Sequence, residues 1–231
     1  MPRSSSPDWL AALVARARRH FVLKFVGTTV GIALFFVAYF QLLHHPAYAV
    51  TTMPLTALDA AIPFEPRALW VYLTLWVYVG AGPGLQLDLG DLLAYGVWIG
   101  GLCVAGLLVF LFWPTQVPVH AVDVSRDAGF AMLQGVDAAG NAFPSMHVAI
   151  ATFTMLRLQD VWRRTGAPLP LRAADLAWCA AIVASTLLTR QHVVLDVVGG
   201  IALGAAFAVA SLRAARRHAP WVREASSPGP S

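Results

Sequence analysis

Two histidines and an aspartate stand where the surrounding sequence offers them little company. His147 opens one apolar run, and His192 with Asp196 opens another. An ionisable group inside a membrane helix costs about 3 kcal/mol on insertion scales, so each of the three calls for a partner or a task. His192 and Asp196 are four residues apart, a spacing that on a helix puts both side chains on one face, one turn from each other. A carboxylate so placed accepts the imidazole Nδ1 proton, fixes the tautomer and leaves the Nε2 lone pair pointing outward as a base or nucleophile. His147 comes from a different segment and has no carboxylate at i+4, which makes it the better proton donor.

Groups suited to an anion lie close by in the sequence. Pro144 and Ser145 begin a predicted helix, and the first N–H groups of a helix are unpaired donors with partial positive charge. Ser145, Met146 and His147 are therefore candidates to hold phosphate oxygens. Arg190 adds a planar fork two residues before His192, and Arg67 and Arg126 are further candidate phosphate ligands. Together these residues point to phosphoryl transfer with no magnesium cage. A metal site would need a third firm ligand, and His120 is the one loop histidine available for recruitment.

The elements that carry these residues are membrane spans. The 231 residues are 58% hydrophobic and 12% charged, with a mean hydropathy of +0.65, where an ordinary soluble domain has about a quarter of its residues charged. A span needs about 20 mostly apolar residues. Three runs without charge qualify: Phe25 to Leu43, Ala68 to Leu87 and Leu92 to Trp113. Three more carry polar residues: Phe143 to Trp162, Leu171 to Thr189 and His192 to Leu212. In these three, Arg157, Asp160, Arg172 and Asp175 are expected to snorkel from span ends. The predicted fold is an all-α integral membrane bundle of six transmembrane helices over residues 20–213, with tails at 1–19 and 214–231. The first run is too long for a signal peptide and is expected to stay as an anchor.

Sidedness follows from the basic residues. With the N-terminus inside, 13 of the 16 Lys and Arg residues fall at the cytoplasmic side, leaving Arg67, Arg126 and Arg190 outside, as cytoplasmic enrichment of Lys and Arg requires. Both tails are then cytoplasmic, and His147, His192 and Asp196 open on the outer face of a plasma or inner membrane. The net charge of +4 is scattered between apolar runs, which excludes a nucleic-acid face. Cys103 and Cys179 lie within apolar runs and read as small buried hydrophobes. Trp70, Trp113 and Trp162 flank spans in the manner of an interfacial belt. Gly200, Gly204 and Ala208 form a small-residue stripe, shared by Asp196, that predicts close packing of the last span on a neighbour. The proline-bounded IPFEPR, Ile62 to Arg67, is expected in an outer loop.

The segment FPSMH resembles the Pro-Ser-x-His motif of the type 2 phosphatidic acid phosphatase superfamily, and STLLTRQHVVLD, Ser185 to Asp196, resembles its SRxxxxxHxxxD motif. The likeness covers the last four spans. It implies that His192 is the nucleophile and forms a phosphohistidine, that Asp196 orients it, that His147 protonates the leaving group, and that no metal or other cofactor takes part. Two features depart from the family pattern. Thr186 stands where the motif has arginine, and the Lys-x6-Arg-Pro motif is missing from WPTQVPVHAVDVSRD; Arg190 and Arg126 are the candidates to supply that charge. FPSMH and TRQHVVLDVVGG look most similar to the branch containing inositol phosphorylceramide synthases, in which an alcohol replaces water as acceptor. The implied partners are a lipid or isoprenoid phosphate and the bilayer, with no obligate protein partner. The readings are thus a lipid-phosphate phosphatase, a phosphotransferase, or a catalytically inactive carrier or scaffold that keeps the helical core.

Overall fold

The computed structural model describes residues 8–118 and 140–218; Arg126 and His120 lie outside them. Its elements are α1 (Asp8–Arg18), α2 (Phe21–His44), β1 (Thr51–Thr52), α3 (Ala57–Ala61), α4 (Ala68–Leu73), α5 (Leu75–Gly84), α6 (Leu89–Phe112), β2 (Thr115–Gln116), α7 (Met146–Arg164), α8 (Leu169–Leu188) and α9 (Val194–His218). Four helices among the described residues are long and apolar enough to cross a bilayer: α2, α6, α8 and Val194–Arg216 of α9. The chain is a helical integral membrane protein.

The expected second span is broken in two at Thr74. The Thr74 hydroxyl donates back to the Val71 carbonyl at 2.6 Å, and its backbone N–H also goes to Val71 rather than one residue further back. That tightened turn separates α4 from α5. Trp178 of α8 holds the break by donating to the Thr74 hydroxyl at 2.9 Å.

α7 is the central helix. It is the most polar of the long helices, and its polar side chains turn inward rather than out to the interface. Arg157, expected to snorkel, is buried and donates to Ser211 of α9 at 3.2 Å and Gln86 at 3.5 Å. Asp175 of α8, also expected to snorkel, is buried too and accepts hydrogen bonds from Tyr78, Gln159 and Trp162 at 2.7, 2.7 and 3.1 Å. Trp162 therefore belongs to this inner knot and not to an interfacial belt. In a helix pair surrounded by hydrocarbon, mutual satisfaction of polar groups is what makes such residues tolerable.

α9 packs on α7 through the small-residue stripe. A Cβ at Gly200 would lie 2.5 Å from the Ser145 carbonyl, and one at Gly204 would run into the Ala149 carbonyl. Gly204→Ala is accordingly expected to cost about 1–3 kcal/mol through overpacking, read as a lower Tm in detergent. Gly96→Ala, where a Cβ meets nothing within 4 Å, is expected to leave Tm unchanged or raise it through better helix propensity.

At one end of the bundle, β1 and β2 pair in parallel, Thr51 with Thr115 and Thr52 with Gln116. Phe143 and Ala142 then hydrogen-bond to Thr115, which fixes the entry into α7. Basic residues gather at the opposite end: Arg16 reaches the Leu85 carbonyl, Lys24 the Gly84 carbonyl, and Arg19 pairs with Asp88.

Candidate active site

His147 sits in the first turn of α7 and His192 in the bend between α8 and α9. Their ring centroids are 5.8 Å apart, and both side chains open on one cavity of about 1280 Å³. His192 precedes its helix: α9 starts at Val194, so the continuous helix expected to carry both His192 and Asp196 is replaced by a helix cap. The Asp196 carboxylate reaches back to accept the Val193 N–H at 3.0 Å, as an acidic side chain in a first turn does in a capping box. The same oxygen lies 3.5 Å from His192 Nδ1. Asp196 is fully buried, and its other carboxylate oxygen has no hydrogen-bond partner among the described residues. A separation of 3.5 Å is long for a hydrogen bond, and contacts of this kind in ligand-free sites commonly tighten when substrate arrives.

The bend that presents His192 is built by the end of α8. The N–H of Gln191 bonds to the Thr186 carbonyl and that of Arg190 to the Leu187 carbonyl, the pattern of a Schellman cap. Arg190 takes the left-handed position with φ of 58°, a conformation costing a non-glycine residue about 1–2 kcal/mol. Its guanidinium compensates by donating to the carbonyls of Asp59 at 3.1 Å and Ile62 at 2.6 Å. Expected as a phosphate ligand, Arg190 has both terminal nitrogens engaged in holding this loop. Thr186 is fully buried, and its carbonyl also accepts the His192 N–H at 3.2 Å, so this position supports the histidine through its backbone.

Ser145, also expected beside a phosphate, is engaged within the protein. Its N–H donates to the Asp196 carbonyl at 3.0 Å and its hydroxyl caps the Val148 N–H at 3.3 Å; the residue is completely buried. The N–H ties the start of α7 to the start of α9, and the hydroxyl caps α7 itself. Met146 is buried, and its thioether packs where a Cβ on Gly106 would have to go. Arg67 is exposed and lines the same cavity as the two histidines.

Two residues of this site had no role in the sequence reading. Tyr72 of α4 places its hydroxyl 2.6 Å from His147 Nε2, with ring centroids 4.8 Å apart. Asp59 of α3 is buried and accepts from Val194 N at 2.8 Å, the first residue of α9, where a negative charge suits the helix dipole. Burial pushes the Asp59 carboxyl up, but hydrogen bonds from the Thr56 hydroxyl, the Thr56 amide and the Val194 amide, with the charge of Arg190, outweigh it and hold the group below the usual carboxylate range. A local signal for Asp59 existed in Thr56-Ala-Leu-Asp59, a capping-box pattern that the structure forms. Tyr72 had none. The IPFEPR segment lies beside the site through Ile62, through Arg67 and through Glu65, whose N–H bonds to the Leu188 carbonyl.

The class defined here is a membrane helical bundle presenting two imidazoles to one cavity, one of them backed by a buried carboxylate. The model of the PAP2 superfamily matches residues 70–210, more than half of the chain, and the protein belongs to that superfamily. No curated protein and no solved structure matches it. The matched segment contains Tyr72, His147, His192 and Asp196, and leaves Asp59, Arg67 and α2 outside.

Proposed function

We propose that this protein is a lipid-phosphate phosphatase working through a phosphohistidine, without a metal ion, at the non-cytoplasmic face of the membrane. The observation that carries this reading is the pair of imidazoles 5.8 Å apart on one cavity, one of them backed by a buried carboxylate. In the first step Nε2 of His192 attacks phosphorus while the bond from phosphorus to the leaving oxygen breaks. His147 gives that oxygen its proton, and Asp196 stabilises the charge that develops on the His192 ring. In the second step His147 takes a proton from water, the oxygen of that water attacks phosphorus, and inorganic phosphate departs as His192 is regenerated. Arg67, on the cavity wall, serves the anionic head group, with Arg190, Ser145 and Met146 organising the loop and helix start around it. Arg126 is proposed as a further head-group contact.

Six spans fit this reading when the broken α4–α5 segment and α7 are counted with the four apolar helices. The bundle end holding Arg16, Arg19 and Lys24 is then cytoplasmic, as the charge rule requires. The likeness of TRQHVVLDVVGG to alcohol-accepting enzymes supports a second version, transfer of the phospho-head group from His192 to an alcohol; following a labelled alcohol beside released phosphate separates the two.

His147→Gln tests the proton-donor role. Turnover of a lipid phosphate is expected to fall by about 10²–10⁴, the usual contribution of a general acid. In the first step, read as the burst of released alcohol before the phosphohistidine is hydrolysed, the loss should shrink sharply for a nitrophenyl ester, whose leaving group needs no proton. An equal loss of burst rate on both substrates would remove His147 from that role.

A further inference from the structure

The histidine assigned as proton donor already holds a hydrogen bond. The Tyr72 hydroxyl is 2.6 Å from His147 Nε2 and 3.4 Å from Nδ1, so the phenol faces the Nε2 edge of the ring. Tyr72 is buried in a small apolar cluster with Leu69 and Phe64. Its ring lies against the imidazole with centroids 4.8 Å apart and planes tilted by 43°. Trp76 of α5 stands edge-on to the same imidazole at 6.5 Å. Tyr72, Trp76 and both histidines line one cavity.

This contact fixes where a proton on Nε2 goes. A protonated imidazole carries two N–H donors and no acceptor, whereas a hydroxyl has one donor and two acceptor sites. With His147 charged, the Tyr72 oxygen therefore accepts from Nε2, and the phenol keeps its own proton for a third atom. Two hydrogen bonds in series polarise each other where the local dielectric is low. A phenol that only steadied the ring would need no access to the cavity, yet Tyr72 forms part of its wall.

We propose that Tyr72 is a catalytic residue, whose hydroxyl hands the proton to the leaving oxygen while His147 replaces it. This rests on the phosphoryl-transfer reading of the site. In the first step the bond from His192 Nε2 to phosphorus forms and the bond from phosphorus to the leaving oxygen breaks. That oxygen takes the Tyr72 hydroxyl proton, and the Tyr72 oxygen takes the Nε2 proton of charged His147, which leaves both side chains neutral. In the second step water gives a proton to the Tyr72 oxygen, Tyr72 passes its own to His147 Nε2, and the water oxygen displaces His192 from phosphorus.

The test follows alcohol released in a single turnover, with full-length protein in excess over dodecyl phosphate or nitrophenyl phosphate, so that the first step alone is read. Tyr72→Phe keeps the ring contact and removes the hydroxyl. Its rate on dodecyl phosphate is expected to fall about 10²-fold and on nitrophenyl phosphate to stay within ~3-fold, because that leaving group departs without a proton. Adding Tyr72→Phe to His147→Gln should cost nothing further, as with residues that act as one unit. In wild type, the rate on dodecyl phosphate plotted against the deuterium fraction of the solvent should curve, the mark of two protons moving in one step. That measurement decides the matter even where Tyr72→Phe does not fold. A straight plot in wild type, losses that multiply in the double variant, or equal losses of Tyr72→Phe on both phosphates would overturn the relay while leaving the phosphoryl-transfer chemistry in place. Wild type that releases alcohol from neither phosphate would overturn that chemistry, and the relay with it.

Discussion

Replacing His192 by alanine is expected to reduce phosphate release from a lipid phosphate by about 10⁴–10⁶, the loss seen when a nucleophile is removed from a site whose other parts remain. The expectation comes from position. His192 faces the cavity shared with His147, and its backbone is held by Thr186 and its ring approached by Asp196. The ring holds no well-formed hydrogen bond at Nδ1 among the described residues, and its backbone N–H bond to Thr186 survives the substitution. Tm of the alanine variant should therefore stay near that of wild type while turnover collapses. Turnover within a few-fold of wild type would leave the non-catalytic carrier as the better account, and the buried His192 and Asp196 as polar glue between helices.

Asp196→Asn is expected to cost about 10³–10⁴ in kcat, comparable to the loss when the orienting carboxylate of a catalytic histidine becomes an amide. The carboxylate has two roles in this structure, and the substitution separates them. The amide oxygen of asparagine still accepts the Val193 N–H, so the cap on α9 is retained. What goes is the negative charge beside Nδ1, with the preference for the tautomer that bares Nε2. A purely structural Asp196 predicts the reverse pattern: a lowered Tm with turnover of the folded fraction intact. Measuring kcat of the folded fraction alongside Tm distinguishes the two, because loss of orientation lowers kcat without lowering Tm.

The motif residues were legible in sequence because their spacing is local and their chemistry is foreign to an apolar helix. The stripe at Gly200 and Gly204 was legible for a related reason: small residues four apart have a direct packing meaning. Contacts that join distant parts of the chain left no comparable trace. Tyr72 meets His147 across 75 positions and Asp59 meets Val194 across 135, and hydrophobic periodicity describes one helix at a time. The i, i+4 spacing of His192 and Asp196 looks the same in a helix and in a cap that folds back, and the structure forms the cap. An arginine beside a histidine suggests an anion ligand from sequence alone; the left-handed bend at Arg190, which turns its guanidinium toward the α3 loop, has no such local mark. Thr74 broke the second span through a hydroxyl bond to its own backbone, which an average over apolar residues does not register.

The site is thus assembled from three levels. Local caps place His192 and Asp196, glycine-mediated packing presses the start of α9 onto the start of α7, and the segment from Thr56 to Tyr72 braces both from outside. Each level supplies one constraint on the distance between the two imidazoles, which is the quantity that the proposed chemistry depends on most.

The most direct measurement is to quench turning-over protein with alkali, after supplying lipid phosphate labelled in its phosphoryl group, and to map the label by mass spectrometry. The expected result is an acid-labile phosphoryl group on His192, absent from His192→Ala and enriched in His147→Gln if the second step is slowed more than the first. Sustained release of phosphate with His192 never labelled, or with the label on another side chain, would contradict the account.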